Sequence, residues 1–129
     1  MLNDQLANVL SAINHHEQLG RKTLVTQHNS KFIREILKLL NSNGYLGEAT
    51  EVDDGKGKWL SIPLIGSINK INVIKPRFSV KRGAYEKFET LFLPAKAMGI
   101  IIVSTSKGIM THSDAKAKGL GGRLICYCY

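Results

Sequence analysis

An α+β fold is predicted by three observations. Apolar residues recur at helical spacing in two stretches before Gly44, aliphatic and β-branched runs of strand length dominate the chain beyond it, and Gly, Pro, Asn and Asp punctuate the boundaries. Leu2, Leu6, Val9, Leu10 and Ile13 stand three or four apart and draw one stripe along a first helix that ends near Leu19-Gly20. Thr23 to Thr26 is short and β-branched, and reads as a strand. Asn29-Ser30 then supply N-cap side chains for a second helix, with Phe32, Ile33, Ile36, Leu37 and Leu40 on its buried face and Gly44 as its left-handed C-terminal cap. Lys31, Arg34 and Lys38 lie off that stripe, on a face open to water or to a polyanion.

Tyr45 to Val52 and Lys58 to Ile65 read as two strands of a hairpin around Asp53-Asp54-Gly55-Lys56-Gly57, whose residues favour turns. Ile68, Ile71, Val73 and Ile74 add strand material before Lys75-Pro76-Arg77, where proline limits pairing and a first unit hands over to a second. Tyr85 to Met98 is weakly helical and interrupted by Pro94. Gly99 to Val103 is a buried strand. Ser113-Asp114 cap a short helix, Ala115 to Lys118, that Gly119 ends, and Gly121-Gly122 lead into a terminal strand, Arg123 to Tyr127.

A length of 129 residues accommodates one compact domain or two small ones. The hydrophobic fraction of 43%, with 7% aromatics, supports a packed core rather than wholesale disorder. A formal net charge of +8 draws a polyanion, with counterion release adding a salt-sensitive contribution to affinity. A membrane partner is set aside, because the apolar stretches fall far short of the ~20 residues that span a bilayer and none forms a basic amphipathic anchor. The opening Met1-Leu2-Asn3-Asp4-Gln5 has no basic or apolar leader character, so the protein is expected to work where it is made or to be a mature form. Cys126 and Cys128 point to the same face of a strand, unsuited to bridging each other, which fits a reduced compartment.

The segment Ser104-Thr105-Ser106-Lys107-Gly108-Ile109-Met110-Thr111 sets hydroxyls, a lysine and glycine-exposed backbone at the end of the buried strand. Several neutral donors and one mobile cation within a few residues suit the sugar and phosphate oxygens of a nucleic acid. Ser104-Thr105-Ser106-Lys107 also spells S-x-x-K, but that nucleophilic serine opens a helix, whereas here an aliphatic run precedes it, Gly108 comes next and the S-D-N and K-T-G partner motifs are missing. A phosphate-cradling P-loop requires glycine directly before the lysine, and position 106 is serine. His15, His16, His28, His112 and the two cysteines make no ligand pairs at zinc spacing, so neither metal nor cofactor is expected. The 10 acidic residues are scattered and form no pair for acid and base work, so no catalytic residue is assigned and the protein is not expected to be an enzyme.

Gly99 to Thr111 without interruption, then Ser113-Asp114-Ala115-Lys116 and Gly119-Leu120-Gly121-Gly122 in register, resemble the small-subunit ribosomal protein eight family in its bacterial and organellar form. Asn29-Ser30-Lys31 and Gly44-Tyr45-Leu46 match the family's first domain more loosely. The resemblance implies two small domains: residues 1–66 with two helices and a small sheet, and residues 67–129, mostly β with a short helix and the RNA-binding loop. It implies a structural constituent of the small ribosomal subunit that binds the central domain of small-subunit rRNA during assembly, beside neighbouring small-subunit proteins and without a small-molecule substrate. Ser104, Thr105, Ser106, Lys107, Gly108 and Thr111 would then form the RNA contact, with Gly121, Gly122 and Arg123 shaping the adjoining surface. Gly122 is expected to serve a positive φ or a close RNA contact. Lys31, Lys75, Arg77, Arg82 and Tyr85 are further candidates.

Two features depart from the resemblance. Arg123 stands where bacterial relatives carry an acidic residue, so a group able to reach phosphate replaces a carboxylate, and Pro76 to Tyr85 lacks the family's Pro-Gly turn within a lengthened stretch. These departures, with the frequent Ile, Asn and Lys of an A/T-rich coding sequence, point to an organelle-encoded, mitochondrial copy, with plastid and bacterial cytoplasm as the other settings. The alternative function is a free-standing RNA-binding regulator of translation that would use the same surface.

Overall fold

A computed structural model describes residues 5–27, 30–53, 55, 58–74, 78–94 and 98–129. The chain divides into two units, residues 1–69 and 70–129.

In the first unit the elements run α1 (Gln5–Gln18), β1 (Thr23–Thr26), α2 (Lys31–Ser42), β2 (Thr50–Asp53) and β3 (Lys58–Pro63). The three strands form an antiparallel sheet in the order β1-β3-β2. Leu6, Val9, Leu10 and Ile13 of α1 and Ile33, Ile36, Leu37 and Leu40 of α2 are buried, as their spacing requires, while Phe32 is half-buried and Leu2 lies outside the described residues. Ser30 caps α2 by accepting the Ile33 N–H at 3.2 Å, while Asn29 lies outside the described residues. Between α2 and β2 the expected strand is shorter than its sequence suggests. The Tyr45 N–H returns to the Leu40 carbonyl and Asn41 Nδ2 donates to the Leu46 carbonyl, both at 3.0 Å, so these groups are used by the end of α2 instead of a ladder. An isolated bridge joins Leu46 to Leu64 there.

The second unit holds β4 (Ile71–Val73), β5 (Ser79–Val80), α3 (Tyr85–Phe92), β6 (Ile100–Thr105), β7 (Gly108–Thr111), α4 (His112–Lys118) and β8 (Gly122–Cys128). Its antiparallel sheet runs β4-β8-β6-β7, with β5 also paired to β8. The terminal strand β8 is thus central, hydrogen-bonded to β6 along one side and to β4 and β5 along the other.

A bulge shapes β8. Ile102 pairs with Cys126 but Val103 pairs with Leu124, leaving Ile125 without an opposite on β6, and the Ile125 carbonyl accepts the Ile74 N–H at 2.9 Å. One extra residue shifts the alternation, so Leu124 and Tyr127 join the same core cluster as Ile101 and Val103, together with Ile74, Val80, Tyr85, Leu93, Met110 and Ala115. Phe92 stacks on Tyr127 with ring centroids 5.3 Å apart, extending that cluster toward α3. Cys126 and Cys128 are buried and form no disulfide.

Three sequence expectations change here. Residues 108–111 form β7, so the expected loop is a tight hairpin whose turn is Ser106-Lys107. Helix α4 begins three residues earlier than expected and is capped by Thr111, not by Ser113-Asp114; the Thr111 hydroxyl accepts the Asp114 N–H at 3.3 Å. Gly122 does not have a positive φ, and the close contact it makes is with the protein's own strand β6. A Cβ there would stand 2.2 Å from the Ser104 carbonyl oxygen and 2.9 Å from Val103 Cγ1.

Gly122→Ala is therefore expected to push β8 off β6 and lower the unfolding free energy by about 2 kcal/mol or more, as overpacking against backbone does. Urea unfolding reads this as a lower midpoint at unchanged slope; a parental midpoint would show that the two strands have room to spare.

Candidate nucleic-acid interface

Ser104 is the first exposed residue after the four buried positions of β6, and Thr105 is half-buried behind it. In the β6–β7 hairpin Thr105 faces Gly108, leaving Ser106 and Lys107 as an exposed turn. Thr105 staples that turn from inside: its hydroxyl accepts the Lys107 N–H at 3.2 Å and donates to the Gly108 carbonyl at 2.8 Å. Gly108 supplies the φ of 115° that closes the turn, a conformation side chains rarely adopt.

On the other side of β6 the start of β8 lies directly opposite. Arg123 pairs with Ser104 and Gly122 with Thr105, so an exposed guanidinium and an exposed hydroxyl share one face of the sheet. Gly121 extends this glycine track toward β5, where a Cβ would stand 2.5 Å from the Val80 carbonyl oxygen and 3.1 Å from the Arg82 nitrogen. Arg82 is exposed, and its Cδ would lie 3.4 Å from a Cβ on Gly119. The structure thus gathers Ser104, Thr105, Ser106, Lys107, Gly108, Gly121, Gly122, Arg123 and Arg82 at one end of the second unit. Donors and cations are concentrated there, with backbone accessible at glycine, an arrangement that can hold sugar and phosphate oxygens.

Two of the sequence candidates have other tasks. Tyr85 is 1% exposed, sits in the core cluster and donates its hydroxyl to the Leu120 carbonyl at 2.8 Å, and burial raises its pKa above the usual phenol value. It ties α3 to the segment leading into β8 and offers no surface to a ligand. Thr111 is 5% exposed and its hydroxyl is spent on the α4 cap. Polarity in a sequence does not say whether a hydroxyl is answered inside or outside, and both of these are answered inside. Lys31 is exposed at the start of α2 in the first unit, and Lys75 and Arg77 lie outside the described residues.

Sequence reasoning missed a buried polar cluster beneath the site. The Ile101 N–H donates to His112 Nδ1 at 3.0 Å, so the imidazole proton is assigned to Nε2, which lies 3.4 Å from Glu89 Oε1. Lys116 forms an ion pair with the same carboxylate oxygen. Glu89 and His112 are 8% and 5% exposed, so they join α3, β6 and α4 away from water, while Lys116 reaches the carboxylate from the surface. The i to i+4 spacing of His112 and Lys116 on one helix face was the available signal; their partner Glu89 lies on another helix. Desolvation lowers the His112 pKa below its ordinary 6.5, Lys116 adds to that, and Glu89 opposes it.

The S-x-x-K tetrapeptide lies across a strand end and a hairpin turn, not on the helix that its use as a nucleophile requires. Among the described residues no three His, Cys, Asp or Glu side chains gather to hold a metal ion, and no helix is long and apolar enough to cross a membrane.

Two outcomes test these placements. Tyr85→Phe should cost about 1 kcal/mol of stability through the lost hydroxyl bond and leave nucleic-acid affinity unchanged, read by urea melts and filter binding. For His112 the folded pKa is depressed, so the unfolded chain binds the proton first; the stability it contributes is present above about pH 6.5 and declines as pH falls toward the folded value. His112→Asn, which keeps an acceptor for the Ile101 N–H, should flatten that acid limb in unfolding measured from about pH 7.5 to 5. A limb as steep as the parent's would assign the pH dependence to other groups.

The comparison with known families agrees with the geometry. Over residues 4–129, essentially the whole chain, the sequence matches the family model of ribosomal protein S8. That is a structural rather than enzymatic class of protein, which works on the ribosome by binding rRNA. A basic chain whose strand-end hydroxyls, lysine and arginine converge on a glycine track, and whose length is covered by that match, belongs to the ribosomal protein S8 family.

Proposed function

We propose that this chain is a structural constituent of the small ribosomal subunit, binding the central domain of small-subunit rRNA during assembly through the β6–β7 hairpin and the facing start of β8. The observation that carries the reading is the pairing of Ser104 with Arg123 across a strand junction that only glycine permits, with Lys107 at the adjoining turn. Ser104 and Ser106 suit the 2′-hydroxyls and base edges displayed in the wide, shallow minor groove of RNA, a surface that hydroxyl groups can both donate to and accept from. Lys107, Arg123 and Arg82 meet phosphate, Gly108 lets the RNA backbone come close to the main chain, and Gly121 and Gly122 keep the strand crossings that set these groups side by side.

Thr105 acts through the turn it staples, holding Ser106 and Lys107 in one geometry before RNA arrives. Lys31 and, by charge alone, Lys75 and Arg77 are proposed as peripheral phosphate contacts. The A/T-favoured composition supports an organellar, mitochondrial ribosome as the setting.

Lys107→Ala is expected to weaken binding to the central-domain transcript by about 1 kcal/mol, roughly fivefold, and to make the slope of log affinity against log salt shallower by about one, because one phosphate contact is lost. Filter binding across a salt series measures both, and an unchanged slope would mean that Lys107 meets solvent, not phosphate.

A further inference from the structure

The second unit has another basic surface next to the hairpin site. Between β5 and the first turns of α3 lies an open groove of about 460 Å³ whose walls include Ser79, Lys81, Gly83, Glu86, Lys87 and Phe88. Phe88 is half-buried, packed on the core cluster by one side. Phe78 stands beside it with ring centroids 5.7 Å apart and is 37% exposed, so part of its ring adjoins the groove surface. Lys87 Nζ lies 5.9 Å from the Phe88 centroid, and both Lys87 and Lys81 are exposed.

We propose that this groove takes one unpaired nucleotide of the bound rRNA, its base stacked on Phe88 beside Phe78 and its phosphate held between Lys81 and Lys87. The proposal rests on the reading that this chain binds rRNA. Three features of the groove select that occupant. An aromatic face flanked by two ammonium groups matches a base and its phosphate, the combination by which single strands are held. Bases inside an A-form helix already stack on one another, so the ring is reachable only by a base splayed out of a loop, bulge or junction. The groove is also continuous with the hairpin surface, because Val80 and Lys81 form its wall and press their backbone against Gly121, next to Gly122 and Arg123. RNA following the glycine track thus reaches the groove without leaving the protein.

Glu86, a carboxylate in the wall, accepts hydrogen bonds and donates none. It favours a base edge that donates, through an exocyclic amine or a ring N–H, and it keeps the phosphate on the lysine side. Lys87, now over the ring, moves to the phosphate when the base takes its place.

The test uses the full chain and an in vitro transcript of the small-subunit rRNA central domain. Phe88→Leu keeps aliphatic packing and removes the stacking face, and is expected to raise Kd by about fivefold or more, as loss of one base-stacking contact does. The double variant Lys81→Gln, Lys87→Gln should make the salt slope shallower by roughly one, for the one phosphate the pair holds, and does not depend on how Phe88→Leu folds. Ultraviolet crosslinking of the wild-type complex should join the peptide bearing Phe88 to a single unpaired nucleotide. Groove variants that keep the parental Kd and slope while Lys107→Ala weakens binding would overturn the groove and leave the hairpin reading intact. Failure of the wild-type chain to retain the transcript would overturn both. A Phe88 crosslink to a neighbouring protein in whole subunits would overturn the nucleotide as occupant and assign the groove to a protein partner.

Discussion

The close passage of β8 over β6 at Gly122 is the constraint on which the rest of the second unit depends. With its would-be Cβ 2.2 Å from the Ser104 carbonyl, no other residue lets the two backbones meet in this register. That contact sets the pairing of Arg123 with Ser104 and of Gly122 with Thr105, and hence which polar groups stand side by side at the sheet's end. Gly121 repeats the device against β5, so two side-chain-free positions in succession draw three strands together. The hairpin is therefore an extension of the core sheet, and its polar tip is held in place before any ligand arrives. Pre-organisation of this kind lowers the ordering cost of binding.

Beneath that surface the bulge at Ile125 and the cluster of Glu89, His112 and Lys116 settle how the sheet is backed. The bulge turns both Leu124 and Tyr127 toward α3 and α4, where a regular strand would have sent one of them to the opposite face. The polar cluster then ties those helices to β6. Buried ion pairs are weak sources of net stability, because desolvation offsets attraction, but removing one partner strands the other's charge. Its contribution here is geometric: His112 accepts the Ile101 N–H, which fixes the start of α4 and thereby the Thr111 cap at the foot of β7. A disturbance of the cluster would reach the hairpin through one residue.

Charge supplies what shape does not. The net charge of +8 raises encounter rates with any polyanion, and so by itself says little about which one. On the proposed reading, selectivity comes from the short-range groups: neutral hydroxyls that match RNA sugars, and an aromatic groove proposed to take an unstacked base. Arg123, exposed opposite Ser104, adds a cation to the proposed hairpin surface.

Much of the first unit is legible in the sequence, since its helices bury stripes whose spacing is set by the helical repeat and Ser30 is a local cap. The strand β6 and the phrase Ser104 to Gly108 are legible for the same reason, being signals carried within a few residues. What only tertiary structure decided involves partners far apart in the chain. The bulge at Ile125, the assignment of Tyr85 to Leu120 across 35 residues, and the pairing of Glu89 with His112 and Lys116 depend on registers that no local pattern encodes. Gly122 shows the division most plainly. Its lack of a side chain marks it in the sequence, but whether glycine serves a turn or a close crossing depends on the strand that lies against it, and that strand, β6, is built from a distant stretch of the chain.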